Sequence, residues 1–375
     1  MTNVKSIQSR AGESPPKPTV NDIARVAGVS LATVDRVLNS RPGVREVTIE
    51  RVNRAIQELG YVRDRAAANL ARGRTYDFLF VLPASDNEFI TSLEDQIHEF
   101  SQSLAADRTT LSILKVEAFD PKAMAEIITS VDPSQVDGLV IFGPETPSVR
   151  DAIDQIRKNG VLVVALVSDL PSSARDAFVG IDNIAAGHTA GQLMGRFVGG
   201  GKGKILVITG SMLARDHLER RLGFDEVMTR DFPGFEVLAS LEGRDDPELI
   251  EKLIPEAFAA HPDINGIYSS AAGNAGLIRF LRRNRLSSDI VVVGHELTPL
   301  SREALEQGIF DAIISQDTGH LVRSAVRILR ARSDSYPIFT AQERIRIDIY
   351  IKENMPPAGG ATAVSNCQEM TYEDH

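Results

Sequence analysis

At 375 residues the chain is about two to three times the length of an ordinary domain, which excludes a single small folding unit. It is 43% hydrophobic and 25% charged, and no apolar run approaches the ~20 residues that span a bilayer, so the composition is that of a globular chain without a membrane partner. The net charge of −10 is unevenly divided. Residues 1–75 hold 13 Lys+Arg against 7 Asp+Glu, whereas residues 76–375 hold 28 against 44, so a basic head precedes an acidic body. Such asymmetry points to a polyanion-binding module joined to something with a different partner. The basic N-terminal residues are not followed by the apolar stretch of a secretory signal, and the one cysteine, Cys367, can form neither an internal disulfide nor a zinc-finger ligand set. The expectation is a cytoplasmic chain.

Residues 1–18 carry Ser, Gly, Pro and Gln without apolar periodicity and read as a disordered arm. Thr19-Val-Asn-Asp22 has the hydroxyl-x-x-acid spacing of a helix start, and Val20, Ile23, Ala24 and Ala27 fall on one face of the helix that follows. Gly28 ends it. Ser30 caps a second helix with Val34, Val37 and Leu38 inward, leaving Leu31, Ala32, Asp35, Arg36 and Asn39 mostly off that face. After Ser40-Arg-Pro-Gly43 a third helix brings Val52, Ile56 and Leu59 together and stops at Gly60. Two short helices joined by a glycine turn make a helix-turn-helix, and 19–62 is assigned as an all-α DNA-binding head. Because the major groove admits one helix, the second helix is the reader. Arg36 can donate two hydrogen bonds to guanine, Leu31 and Ala32 can meet thymine methyl groups, and Thr19, Ser30, Thr33 and Asn39 can reach phosphates.

Residues 63–75, containing RDRAAANLARGR, are basic and alanine-rich with one large apolar side chain, Leu70. A segment this short is marginal as an isolated helix, so it is expected to be helical only when something packs against it. From Tyr76 short apolar runs alternate with helix-length stretches. The runs are Phe78–Leu82, Leu111–Val116, Gly138–Phe142, Val161–Val167, Ile205–Thr209, Ile264–Tyr268, Ile290–Gly294 and Ala312–Ser315; among the helices between them are 88–105, 121–130, 148–159, 184–198, 215–230, 247–260, 273–284 and 300–307. Continuously apolar strands alternating with helices predict parallel sheets covered on both faces, here an α/β sensor of two doubly wound lobes over 76–353, followed by a flexible tail over 354–375.

The run TVNDIARVAGVSLATVDRVLN, a third helix and then RDRAAANLARGRT resemble the N-terminus of the LacI (lactose-repressor) family, with the D-I-A-x-x-A-G-V-S-x-x-T-V-x-R-V-L-N spacing kept without a gap. The body resembles the type I periplasmic sugar-binding fold that this family uses as a sensor. The resemblance implies a homodimeric repressor whose small-molecule effector, held between two sensor lobes, alters affinity for double-stranded operator DNA. It further implies that Leu31 and Ala32 set specificity, that Arg36 contacts a base and Asn39 the backbone, and that Leu70 wedges into the minor groove from a hinge helix formed on cognate DNA. Asp35 departs from the serine expected there.

In doubly wound sheets ligands bind beyond the carboxyl ends of strands, which selects Asn87, Phe89, Glu145, Asp169, His217, Asn274, Glu296 and Gln316 as candidate effector contacts. The resemblance places Asn87, Phe89, Glu296 and Gln316 at ligand positions; each of the others could equally be a helix cap or turn residue. Two departures set the pocket apart from well-known sugar repressors: Leu218 stands where an arginine is common, with Asp216, His217 and Arg220 nearby, and Ala271-Ala272 replaces a usual Asn-Asp, with Asn274 as a substitute. The expected effector is a sugar, polyol or related polyhydroxylated metabolite. GGGKGK at 199–204 leads into a strand and lacks the Ser or Thr of a P-loop, and the scattered His98, His188, His261 and His320 form no catalytic or metal motif. Neither enzyme chemistry nor a cofactor is expected. A plain solute-binding receptor is the alternative that the body alone would permit.

Overall fold

The computed structural model describes residues 18–38, 42–61, 74–271, 274–286 and 289–357. They form two compact units, divided between Arg74 and Thr75. Asn39, Leu70 and all but the last two residues of the hinge expected over 63–75 lie outside the described residues.

The head contains α1 (Val20–Ala27), α2 (Leu31–Leu38) and α3 (Glu46–Leu59). Ile23, Ala27, Val34, Val52 and Ala55 bury themselves in a miniature core, with Val37, Leu38, Ile56 and Leu59 packed around it. The turn between α1 and α2 needs a left-handed residue, and Gly28 supplies it at φ 61°. Arg51 of α3 donates to the carbonyls of Ala27 and Gly28, tying the third helix to that turn.

In the body, lobe 1 is a parallel sheet in the order β2-β1-β3-β4-β5, from β1 (Tyr76–Ala84), β2 (Thr109–Glu117), β3 (Gly138–Ile141), β4 (Leu162–Leu166) and β5 (Ala177–Val179). The helices α4 (Glu88–Leu104), α5 (Pro121–Ser130) and α6 (Pro147–Lys158) connect these strands. Lobe 2 is built on β6 (Gly203–Thr209), β7 (Phe235–Val237), β8 (Leu241–Glu242), β9 (Ile264–Ser269), β10 (Val291–His295), β11 (Ala312–Ser315) and β12 (Asp348–Tyr350). Its main path runs β12-β11-β10-β9-β6-β7, with β8 also on β6. The strands are parallel except β12, which pairs antiparallel with β11 at the edge. Its helices are α7 (Asn183–Val198), α8 (Arg215–Asp231), α9 (Pro247–Ala260), α10 (Asn274–Asn284) and α11 (Pro299–Glu306).

Each of the eight apolar runs became a strand. The short strands β5, β7, β8 and β12 were not among them, and neither was α12 (Thr318–Ser333), which follows the last parallel strand. α12 packs back on α4, β4 and β5 of lobe 1, and the chain then returns to lobe 2 for β12. With the passage from β5 into α7, the chain therefore crosses between lobes three times, so neither lobe is one continuous stretch of sequence. α7 and α8 approach closely because Gly187 faces the backbone of Arg220 and Phe224, and Gly223 faces the backbone of Ile184 and His188. This contact fixes the start of α8 beside the passage between lobes.

Candidate functional site

On the head, Leu31, Ala32, Asp35 and Arg36 are exposed, while Val34 between them is buried. The second helix thus presents one polar-and-apolar face outward and anchors itself by the other. Ser30 caps it through its Oγ, which accepts from Thr33 N at 3.2 Å and lies 2.9 Å from Thr33 Oγ1. Thr19 Oγ1 donates to Asp22 Oδ2 at 2.8 Å. The Arg25 guanidinium, together with the amide and hydroxyl of Thr19, pulls the Asp22 carboxyl down to about 2, so it is ionised throughout the neutral range.

In the body, a partly enclosed cavity of about 60 Å³ of water-accessible space lies between the carboxyl ends of the two sheets. Lobe 1 contributes an apolar wall that includes Phe89, Phe119, Met124 and Phe142, with Phe89 and Phe142 edge to face at 6.5 Å. Lobe 2 contributes Asp216, His217, Arg220, Asp245 and Glu296.

The first turns of α8 carry Asp216, His217 and Arg220, so the helix N-terminus, where a carboxylate is favoured, points at the cavity. Arg220 is the buried centre. Its Nε donates to Asn183 Oδ1 at 2.9 Å, its Nη1 donates to Ser270 O at 2.9 Å, and its Nη2 lies 3.6 Å from Glu296 Oε1. Asn183 in turn donates to Val167 O of lobe 1, so the arginine is braced against the passage between lobes. Glu296 also accepts from Gln316 Nε2 at 2.9 Å. Burial raises its carboxyl above the ordinary value, and the attraction of Arg220 and the Gln316 hydrogen bonds only partly oppose this. Burial acts the same way on Asp216, but there His217 and Arg220 win, and the carboxyl is held below its ordinary value.

Four cavity residues, Phe119, Val167, Asp245 and Glu296, hold left-handed backbone at φ 57°, 64°, 57° and 65° although none is glycine. For a β-branched residue such as Val167 this costs on the order of 1–3 kcal/mol and is sustained only by the surrounding structure. Val167 and Glu296 each follow a parallel strand, and their amides donate to Val179 O and Ile314 O of the neighbouring strand. The strain turns the chain sharply at the sheet ends and aims it into the cleft.

Of the eight sequence-selected residues, Asn87, Phe89, His217 and Glu296 line the cavity. Asn87 caps α4 through Oδ1, which accepts from Ile90 N, and its Nδ2 reaches Asp245 Oδ2 across the lobes at 3.5 Å. Gln316 stands behind Glu296. Asn274 does not line the cavity; it accepts from Ser269 Oγ and donates to His295 O, holding two strand ends. Asp169 is occupied by Arg175 through two hydrogen bonds. Glu145 receives Arg215 Nη1 from lobe 2 at 2.7 Å, and its other oxygen accepts from Ser172 N. Arg220 lines the cavity, whereas Leu218, which stands where an arginine is common, does not and is 47% exposed. Ser168, Phe119, Phe142 and Asp245 were not selected. The signal was available for Ser168, which directly follows an apolar run, and for Phe142, which ends one, and not for Phe119 or Asp245, which sit in loops.

A helix-turn-helix head joined to a two-lobed, parallel-sheet body with an interlobe cavity defines a transcriptional regulator with a binding-protein-type sensor. Residues 78–335 match the periplasmic binding protein domain, and residues 19–64 match the bacterial regulatory proteins of the lacI family. Over residues 78–335 the chain belongs to the periplasmic binding protein domain family, and over residues 19–64 it carries a lacI-family regulatory head, the make-up of a LacI-type regulator. It is 27% identical over 297 residues to the HTH-type transcriptional regulator DegA of Bacillus subtilis, a match covering 77% of this chain and 84% of that one. With the HTH-type transcriptional regulator GntR of Pseudomonas aeruginosa it shares 26% over 291 residues, 76% and 80% of the two chains. Among solved structures, GanP, a glucose-galactose binding protein from Geobacillus stearothermophilus, superposes with a TM-score of 0.68 at 21% identity, over 76% of this chain and all of that one.

Proposed function

We propose that this regulator acts as a homodimeric repressor that reads double-stranded operator DNA through the outward face of α2, and that a sugar, polyol or related metabolite held between the sensor lobes alters that grip. Leu31, Ala32 and Arg36 read base edges, while Thr19, Ser30, Thr33 and Asn39 position the helix on phosphates. The roles of Asn39 and of Leu70 as a minor-groove wedge rest on the sequence motif alone. A dimer is expected because operator half-sites mirror protein two-fold symmetry.

The observation that carries the effector reading is the two-faced cavity, in which phenylalanines from one lobe oppose carboxylates and a guanidinium from the other. A polyhydroxylated ring or chain has the matching surfaces, an apolar C–H face and a hydrogen-bonding edge. The name of GanP describes glucose and galactose binding for that protein, which supports the same class here. Asn87, Phe89, His217, Arg220 and Glu296 are the proposed direct contacts, with Gln316 and Asn274 orienting them from behind. Closure over the ligand couples to the head by favouring one arrangement of the lobes.

The test is a gel shift with promoter DNA, with and without sugars and polyols, alongside calorimetry of the full chain. Operator release or capture on adding a sugar or polyol is the expected result. Binding of a purine while every sugar and polyol fails would reject the effector class, and failure to prefer any promoter fragment at low salt would reject the regulator's proposed DNA contacts.

A further inference from the structure

Taking the cleft as the effector site, as proposed above, we propose that the effector carries a basic nitrogen: an aminated sugar or polyol, its ammonium seated against Asp216 and its carbon face against the phenylalanine wall. The cavity is lined by four carboxylates, Glu117 of lobe 1 and Asp216, Asp245 and Glu296 of lobe 2, against one permanent cation, Arg220. That cation is already engaged. Its nitrogens serve Asn183 and Ser270, and its charge faces Glu296.

Asp216 is 2% exposed, and among the described residues its Oδ1 has no hydrogen-bond partner. Its Oδ2 lies 3.6 Å from His217 Nε2, beyond a good hydrogen bond. An ionised carboxylate only accepts, so whatever settles against Asp216 must donate. A hydroxyl would meet that demand too, but the Arg220 charge that offsets Asp216 is shared with Glu296, so a neutral donor leaves the polar side of the cavity with an excess of carboxylates. An ammonium supplies donors and opposite charge together, at a carboxylate buried deeply enough that solvent screens the pairing little. A carboxylated sugar would instead add another negative group beside those already lining the cavity, which is strongly disfavoured. The opposite wall suits the same ligand, because the faces of Phe89, Phe119 and Phe142 tolerate C–H groups and attract cations.

Three matched sets sharing a carbon skeleton test this by calorimetry on the full chain at neutral pH: D-glucosamine, D-glucose and D-glucuronate; D-galactosamine, D-galactose and D-galacturonate; and glucamine, sorbitol and gluconate. In at least one set the aminated member is expected to bind at least ~10-fold tighter than the neutral one, with the acid weakest, and Asp216→Asn should reduce that ratio to near unity. The ratio in the unaltered protein decides the matter even if the variant folds poorly. If, in every set that binds, a neutral or acidic member binds as tightly as its aminated counterpart, the amine assignment is overturned and the sugar reading stands. If no member of any set binds, both fall.

Discussion

Arg215 of lobe 2 reaches across the mouth of the cleft to Glu145 of lobe 1, with Nη1 2.7 Å from Oε2, while its Nε holds Glu219 on its own helix at the same distance. Glu145 is further fixed by Ser172 N, so both ends of this bridge are positioned before the lobes meet. Glu88 Oε2, which accepts from Leu300 N, makes a second connection between the lobes. These contacts favour the closed arrangement in which the cavity is small.

Removing the bridge is expected to loosen closure without unfolding either lobe. The Arg215 side chain is 36% exposed, so solvent screening limits its worth to about 0.2–1 kcal/mol. Arg215→Ala should therefore weaken effector affinity by no more than about five-fold, mainly through faster dissociation. Stopped-flow kinetics checks this, and an unchanged dissociation rate would remove the bridge from the closing motion.

The same bridge predicts a pH dependence. Burial pushes the Glu145 carboxyl upward, but Arg215 and the Ser172 hydrogen bonds outweigh it and hold the group below its ordinary value of 4.5. A carboxyl depressed in the folded state contributes stability that is present above the unfolded value and lost as pH falls through the folded one. The Glu145 contribution to effector affinity should thus be constant through neutral pH and vanish only in acid below 4.5. Comparing the unaltered chain with Glu145→Gln across that range measures it.

Arg220→Ala should be the most damaging substitution in the cleft. It strands Asp216 and Glu296 as buried carboxylates without their cation, a change that typically costs about 3–5 kcal/mol. Both carboxyls then take up protons more readily in the folded protein than when unfolded, so the deficit should grow as pH rises and shrink as it falls. Denaturant midpoints at several pH values test the sign. A pH-independent loss would mean that Arg220 acts through packing alone.

Gly187→Ala should separate α7 from α8. A Cβ there would collide with the backbone oxygen of Arg220 and the amide of Phe224, and neither can swing aside as a side chain could. Overpacking of this kind costs about 1–3 kcal/mol. Thermal unfolding should register that loss, and effector affinity should fall with it because Arg220 moves. Loss of stability with unaltered effector binding would show that the helix contact and the cavity are independent.

At the DNA face, Arg36→Ala should cost about 1–3 kcal/mol on operator and relax base preference. Arg36 is exposed beside Leu31 and Ala32, so the head should fold as before. Equal losses on operator and random DNA would reassign Arg36 to phosphate contact.

The sequence alone determined the head, its turn and the central strands, because those features depend on neighbours a few residues away. Val34 and Val37 mark an inward face by helical spacing, Gly28 marks a left-handed turn, and a run such as Gly138–Ile141 must be covered on both sides wherever it lies. Only the tertiary structure decided which residues meet. Short edge strands such as β8 and β12 exist by virtue of their partners, and α12 returns to lobe 1 because its buried Leu321, Val322 and Ala325 fit there, which no local pattern encodes. The cavity followed the same logic. Spacing pointed to Asn87 and Glu296, but Arg220 rather than residue 218 occupies its centre, since that depends on the rotation of α8 against the glycines of α7. Local periodicity can state which side of a helix is apolar; the partner to which each polar side chain is presented is set only once the lobes have packed.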